Sequence, residues 1–101
     1  MQAFVDLQGA SGVSYRFRLA PDGAVTTPIA GNYAFVRETP DGVTVMSIAA
    51  TNDLSSATAE WKRATAKHGP LHLYTRLNVS AAVREAERQD IAAHYKPRLR
   101  V

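Results

Sequence analysis

The chain has 101 residues, 46% hydrophobic and 21% charged, and it contains no cysteine. That balance fits one folded domain rather than a disordered segment. No apolar run reaches the ~20 residues that span a bilayer, and disulfides, thiolate zinc sites and cysteine nucleophiles are all excluded.

The net charge of +3 is unevenly distributed. In residues 1–53, Arg16, Arg18 and Arg37 are outnumbered by Asp6, Asp22, Glu38, Asp41 and Asp53. In residues 54–101, nine lysines and arginines face only Glu60, Glu85, Glu87 and Asp90. A basic half is what a phosphate backbone selects, although solvated helix faces also lean basic. The opening MQAFVDLQGASG lacks the basic and apolar stretches of a secretory signal. With the absence of cysteine, this leads to an expected cytoplasmic location.

Residues 3–8 alternate apolar and polar, and Gly9 to Gly12 supplies a turn. Val13, Tyr15, Phe17 and Leu19 then alternate with Ser14, Arg16 and Arg18, which completes a hairpin with one buried face. Pro21-Asp22-Gly23 closes the second strand, and residues 24–31 read as a connector. A second hairpin follows, with Tyr33, Phe35 and Val36 before the Pro40-Asp41-Gly42 turn and Val43, Val45 and Ile48 after it.

Asp53 is placed to cap a helix whose inner face carries Leu54, Ala57, Trp61, Ala64 and His68, with Gly69-Pro70 ending it. Trp61 is expected in the core at that spacing. Residues 71–77 alternate as a short strand. A last helix is predicted over 79–95, capped by Asn78 or Ser80, with Val79, Ala82, Val83, Ala86 and Ala93 as its apolar stripe. Pro97 ends it. The result is an α+β fold: a small, mostly antiparallel sheet of about five strands, order ββ-ββ-α-β-α, with two helices packed on it.

The candidate chemistry is sparse. His68, His72 and His94 lack the HxxxH spacing of a helical metal site. Asp90 stands four residues before His94, which permits either a proton-relay pair or a structural hydrogen bond. Glu85 and Glu87 point to different sides of a helix, so they form no close carboxylate pair. No Walker loop, dinucleotide fingerprint or nucleophile elbow is present. Lys96, Arg98 and Arg100 alternate in the tail, and an extended backbone would array them as a cationic comb for phosphates.

Gly31-Asn32-Tyr33 opening a strand, Ser47-Ile48-Ala49 ending the next, the polar link Thr51-Asn52-Asp53-Leu54, and the close from Asp90-Ile91 to Leu99 occur in the order and spacing of a known family. The run from Gly31 to Arg100 resembles the GIY-YIG nucleases. The resemblance divides a single domain, 1–101, into an N-terminal hairpin extension over 1–30 and a family-like core over 31–100.

The resemblance also implies a depleted catalytic set. Tyr33 matches the first motif tyrosine, whereas Ser47 stands at the second and Ala49 at the motif glycine. Ala57 stands at the helical arginine, Arg88 at the metal-binding glutamate and Arg100 at the exit asparagine. A slip of one residue would bring Glu87 to the metal position. Phosphodiester hydrolysis needs a metal to polarise the phosphoryl group and a cation for the developing charge.

The leading expectation is therefore a non-catalytic binding domain with no cofactor. It would contact DNA, RNA or an acidic protein through Lys62, Arg63, Arg76, Arg88, Lys96, Arg98 and Arg100. One alternative is an active Mg²⁺-dependent endonuclease using Tyr33 and Glu87 across a cleft, with Arg63 standing in for the lost arginine. The other is a structural module, a monomer or weak homodimer pairing through a strand edge. No membrane partner is expected.

Overall fold

Successive side chains of a strand point to opposite faces of the sheet, and here both faces are used. The computed structural model describes residues 2–99. Strands β1 (Phe4–Gln8), β2 (Ser14–Ala20), β3 (Gly31–Thr39) and β4 (Gly42–Thr51) precede helix α1 (Ala57–His68). Strand β5 (His72–Leu77) and helix α2 (Ala81–Tyr95) follow. The sheet order is β1-β2-β5-β3-β4, and every pairing is antiparallel. The expected α+β architecture is thus the observed one. The N-terminal hairpin joins the rest of the sheet directly, because β2 pairs with β5 from Arg18↔Thr75 to Ala20↔Leu73.

One face carries Val5, Leu7, Tyr15, Phe17, Ala34, Val36 and Tyr74, closed by Ile91 of α2. The other carries Ala20, Tyr33, Phe35, Leu71 and Leu73, closed by Leu54 and by Ala57 of α1. The sheet curls until both of its edge strands reach α2, so Val5 and Leu7 of β1 share one core with Val45 and Ile48 of β4. Val45 and Ile48 are three residues apart and would ordinarily face opposite sides. A register shift opposite Phe35/Val36 makes Met46 an extra residue and returns both to the α2 side.

The caps follow the sequence. Asp53 Oδ1 accepts from Ser55 N at 2.9 Å and starts a 3₁₀ turn, Leu54–Ser56, that leads into α1. Ser80, not Asn78, caps α2 through Val83 N. Trp61 packs on the second core and donates Nε1–H to Leu71 O at 2.7 Å. His68 closes the α1 pattern in sequence but lies exposed at the helix end.

The expected apolar stripe of α2 is the main correction. Val79, Ala82, Val83, Ala86 and Ala93 are all exposed. The buried face consists of Arg84 and Ile91, flanked by half-buried Glu87, Arg88 and Tyr95. The edges of the sheet are also partly engaged. Gln8 N of β1 donates to the Tyr95 hydroxyl, and Met46 O of β4 accepts from Leu99 N, both at 2.9 Å.

Candidate anion-binding cleft

Under α2 lies a seam of polar groups that satisfy one another. Asn32 is fully buried, and its Nδ2 donates to Arg84 O at 2.9 Å and Ala49 O at 3.3 Å. Its Oδ1 accepts from Asn78 Nδ2 at 3.1 Å. Asn78 Nδ2 also reaches Glu87 Oε1 at 3.0 Å, and Arg76 Nε donates to the same oxygen at 2.9 Å. The Arg84 guanidinium, in a residue only 8% exposed, bonds Val79 O and the Asn52 side chain. Hydrogen bonds from every side make this burial tolerable. The seam occupies two of the candidate residues, Arg76 and Glu87. A third, Arg88, is held by Glu85, and that contact lowers the Glu85 pKa to about 2.

Asp90 does not pair with His94. Its carboxylate accepts from Ser11 N, Ser11 Oγ and Tyr15 Oη at 2.9, 2.6 and 2.7 Å. It therefore staples the β1–β2 turn to α2. The Ser11 contacts, then the Tyr15 contact, hold its carboxyl below the usual range. His94 instead stacks edge-on against Tyr95, with ring centroids 4.7 Å apart.

Tyr33 lies on the opposite side of the sheet from this seam, in the α1 core beside Phe35. Burial pushes its phenol up to about 12, Glu60 adds to the rise and Arg63 opposes it. The structure thus brings Tyr33 into the field of Arg63 but does not bring it to Glu87, which sits under α2 on the other face. The facing pair required by the endonuclease alternative is not formed. Arg63 itself is engaged by Glu60 one turn away, and Lys62 beside it is exposed on α1. Ser47 is buried, with no hydrogen-bond partner for its hydroxyl, among residues described. Among the described residues, no group of three or more His, Asp or Glu side chains is arranged to hold a metal ion.

The remaining candidates converge elsewhere. Lys96 ends α2 in the left-handed conformation, φ 50°, with its N–H on Ala92 O at 2.8 Å. This turn departs from the extended comb expected from sequence. It directs the tail across the β4 edge, where Leu99 N bonds Met46 O and the Leu99 side chain packs on the second core. Lys96 and Arg98 then line one cleft of about 440 Å³ with Arg37, Thr44, Val45, Met46 and Tyr95. The bulged Met46 and the sheet edge form part of its wall. Arg100 lies outside the described residues.

Arg37 was not a sequence candidate. It belongs to the acidic half and follows six buried residues on β3, so nothing local distinguishes it. In the fold its guanidinium donates to His68 O, the carbonyl end of α1. Among the described residues, no carboxylate lines the cleft and none of its three cations is in an ion pair. The six expected basic residues that are described therefore divide. Lys62 and Arg63 are on α1, Arg76 and Arg88 are tied to carboxylates near α2, and Lys96 and Arg98 share a site with Arg37.

No helix among the described residues is long and apolar enough to cross a membrane. No protein-family model, curated protein or solved structure matches the chain.

Proposed function

We propose that this chain is a non-catalytic, GIY-YIG-like binding domain that holds a nucleic-acid backbone in the cleft of Arg37, Lys96 and Arg98. The observation that carries the proposal is the acid-free lining of that cleft by three cations without ion pairs among the described residues. Such a site attracts phosphate at little desolvation cost, because no internal carboxylate must first be displaced. The non-catalytic part is supported by the separation of Tyr33 from Glu87 on opposite sheet faces and by the capture of Glu87 in the seam. Arg76 and Asn78 both bond Glu87 Oε1 and hold the carboxylate in the seam, on the sheet face away from Tyr33.

Three phosphate contacts give an expected salt slope of about −2.7 on duplex DNA, a loss of roughly 40-fold in affinity between 50 and 200 mM salt. The test is fluorescence anisotropy of a labelled duplex at both salt concentrations. The wild type is compared with the Lys96→Ala/Arg98→Ala double variant, and polyglutamate serves as competitor. The double variant should bind weakly, with a slope near −1. Unaltered binding by the double variant, or no binding by the wild type at millimolar duplex, would overturn the cleft assignment. Displacement by polyglutamate as effective as by unlabelled duplex would reassign the site to an acidic protein.

A further inference from the structure

Strand alternation places Phe4, Arg16, Arg18, Thr75 and Leu77 on the sheet face opposite Val5, Phe17 and Tyr74. Helix α1 covers this face over β3 and leaves β1, β2 and the end of β5 open. The result is a groove of about 450 Å³, walled by the connector segment Ala24–Thr27. That wall is anchored: Val25 N donates to Thr58 Oγ1 at 3.1 Å, and the same hydroxyl donates to Gly23 O at 2.6 Å. The groove is therefore preorganised rather than shaped by its occupant.

Its chemistry is that of a stacking platform. Phe4 is an aromatic on a sheet face yet is 49% exposed, and Leu77, across β2 on β5, is 63% exposed. The Arg16 guanidinium lies 5.7 Å from the Phe4 ring centroid and is fixed by two bonds to Asp6 at 3.0 and 3.2 Å. Asp6 neutralises Arg16, so Arg16 acts to hold the ring. Arg18 is different. It is exposed, and among the described residues it has no ion pair or side-chain hydrogen bond. Thr26, Thr27 and Thr75 add three hydroxyls to the lining.

We infer that this groove binds single-stranded RNA. A base stacks on the exposed part of Phe4, a backbone phosphate pairs with Arg18, and the threonine hydroxyls contact 2′-hydroxyl groups. Unstacked bases on aromatic side chains, with a cation for the backbone, form the usual chemistry of single-strand recognition. A duplex does not present its base faces to such a surface. The inference rests on the reading of this chain as a nucleic-acid binder, and assigns it a second surface, built on the N-terminal hairpin and completed by β5.

The test uses a labelled uridine decamer, the matching deoxy-oligomer and the duplex of the preceding section. These are titrated into the full chain and into Phe4→Ala, Arg18→Ala and Lys96→Ala/Arg98→Ala variants. Phe4→Ala should weaken RNA binding roughly tenfold or more, and Arg18→Ala should reduce the salt slope by about 0.7. Both should leave duplex binding unchanged. Both sites are exposed, and amide spectra of the variants check that each is folded before binding is compared. The deoxy-oligomer should bind at least fivefold more weakly than RNA.

Equal binding of the two oligomers overturns the RNA assignment, as does polyglutamate that displaces RNA as well as unlabelled RNA does. RNA binding that falls in Lys96→Ala/Arg98→Ala but not in Phe4→Ala places both ligands in the cleft and removes the platform. Loss of duplex binding alone, with RNA still dependent on Phe4, removes the cleft and keeps the platform. Binding of neither ligand overturns both.

Discussion

Replacing Asn32 by alanine tests the idea that the seam under α2, rather than an apolar stripe, fixes that helix. The substitution deletes bonds to Arg84 O, Ala49 O and Asn78 at 2.9, 3.3 and 3.1 Å, in a residue with no exposed surface. A buried hydrogen bond contributes about 1 kcal/mol net, and carbonyls deprived of a partner add to the loss. The total expected is about 3 kcal/mol, a large part of the ~5–15 kcal/mol that holds a domain folded. Urea unfolding followed by the single tryptophan, Trp61, reads it directly. With a slope near ~1.5 kcal/mol per molar, the midpoint should fall by about 2 M. Asn78→Ala removes the shared bond from the other side, so the two variants should be non-additive by at least ~0.5 kcal/mol. A midpoint shift below about 0.3 M, or strict additivity, would refute the seam as the anchor of α2.

Three further outcomes are expected. A methyl group at Gly31 would lie 2.2 Å from the Arg76 carbonyl oxygen and 2.8 Å from Leu54 Cδ1, so Gly31→Ala should destabilise by about 1–3 kcal/mol in the same urea assay. Asp90 has a folded pKa below its unfolded value, so its contribution is present above the unfolded pKa and lost as pH falls through the folded one. Asp90→Asn should flatten the acid side of a stability-against-pH curve, most visibly below pH ~4. Tyr33 is the reverse. Its phenol titrates at about 12 when folded against 10.0 unfolded, so the unfolded chain releases its proton first and stability falls as pH rises across that interval. Absorbance titration should show a step near 12 that Tyr33→Phe removes.

Much of the fold was legible because its signals are local. Tyr15 and Phe17 alternate with Arg16 and Arg18, Asp53 starts the 3₁₀ turn that leads into α1, Ser80 caps α2, and all of these depend on neighbours a few residues away. The inner face of α2 was misread because its determinants are distant. Arg84 and Glu87 are buried by Asn32, Asn52 and Asn78, and a periodicity count sees them only as charged. Val83 and Ala86 carry the apolar label but face out. The same distance hid Arg37, whose fellow cations in the cleft, Lys96 and Arg98, are about sixty residues further along the chain. Asp90 was placed beside His94 by helical spacing, but the nearer donors come from the β1–β2 turn. Only the tail cations were legible, and for a different geometry: a left-handed turn at Lys96 directs them, not an extended comb.

The division of polar groups also explains why charge along the chain is a poor guide to where a ligand would bind. Nine of the twelve basic residues follow residue 53, yet Arg76, Arg84 and Arg88 are all consumed internally. They sit close to α2 because its inner face is polar, and a polar inner face requires counter-groups within hydrogen-bond reach. Cations used in this way are screened by their own partners. Arg18 and Arg37 come from the acidic half, and each is on a strand position where alternation points it away from α2. The strand pattern therefore selects the arginines available to an anion, and the composition of the segment does not. A surface derived from net charge would centre on α2; one derived from unpaired donors centres on the β4 edge and on the open face of β1 and β2.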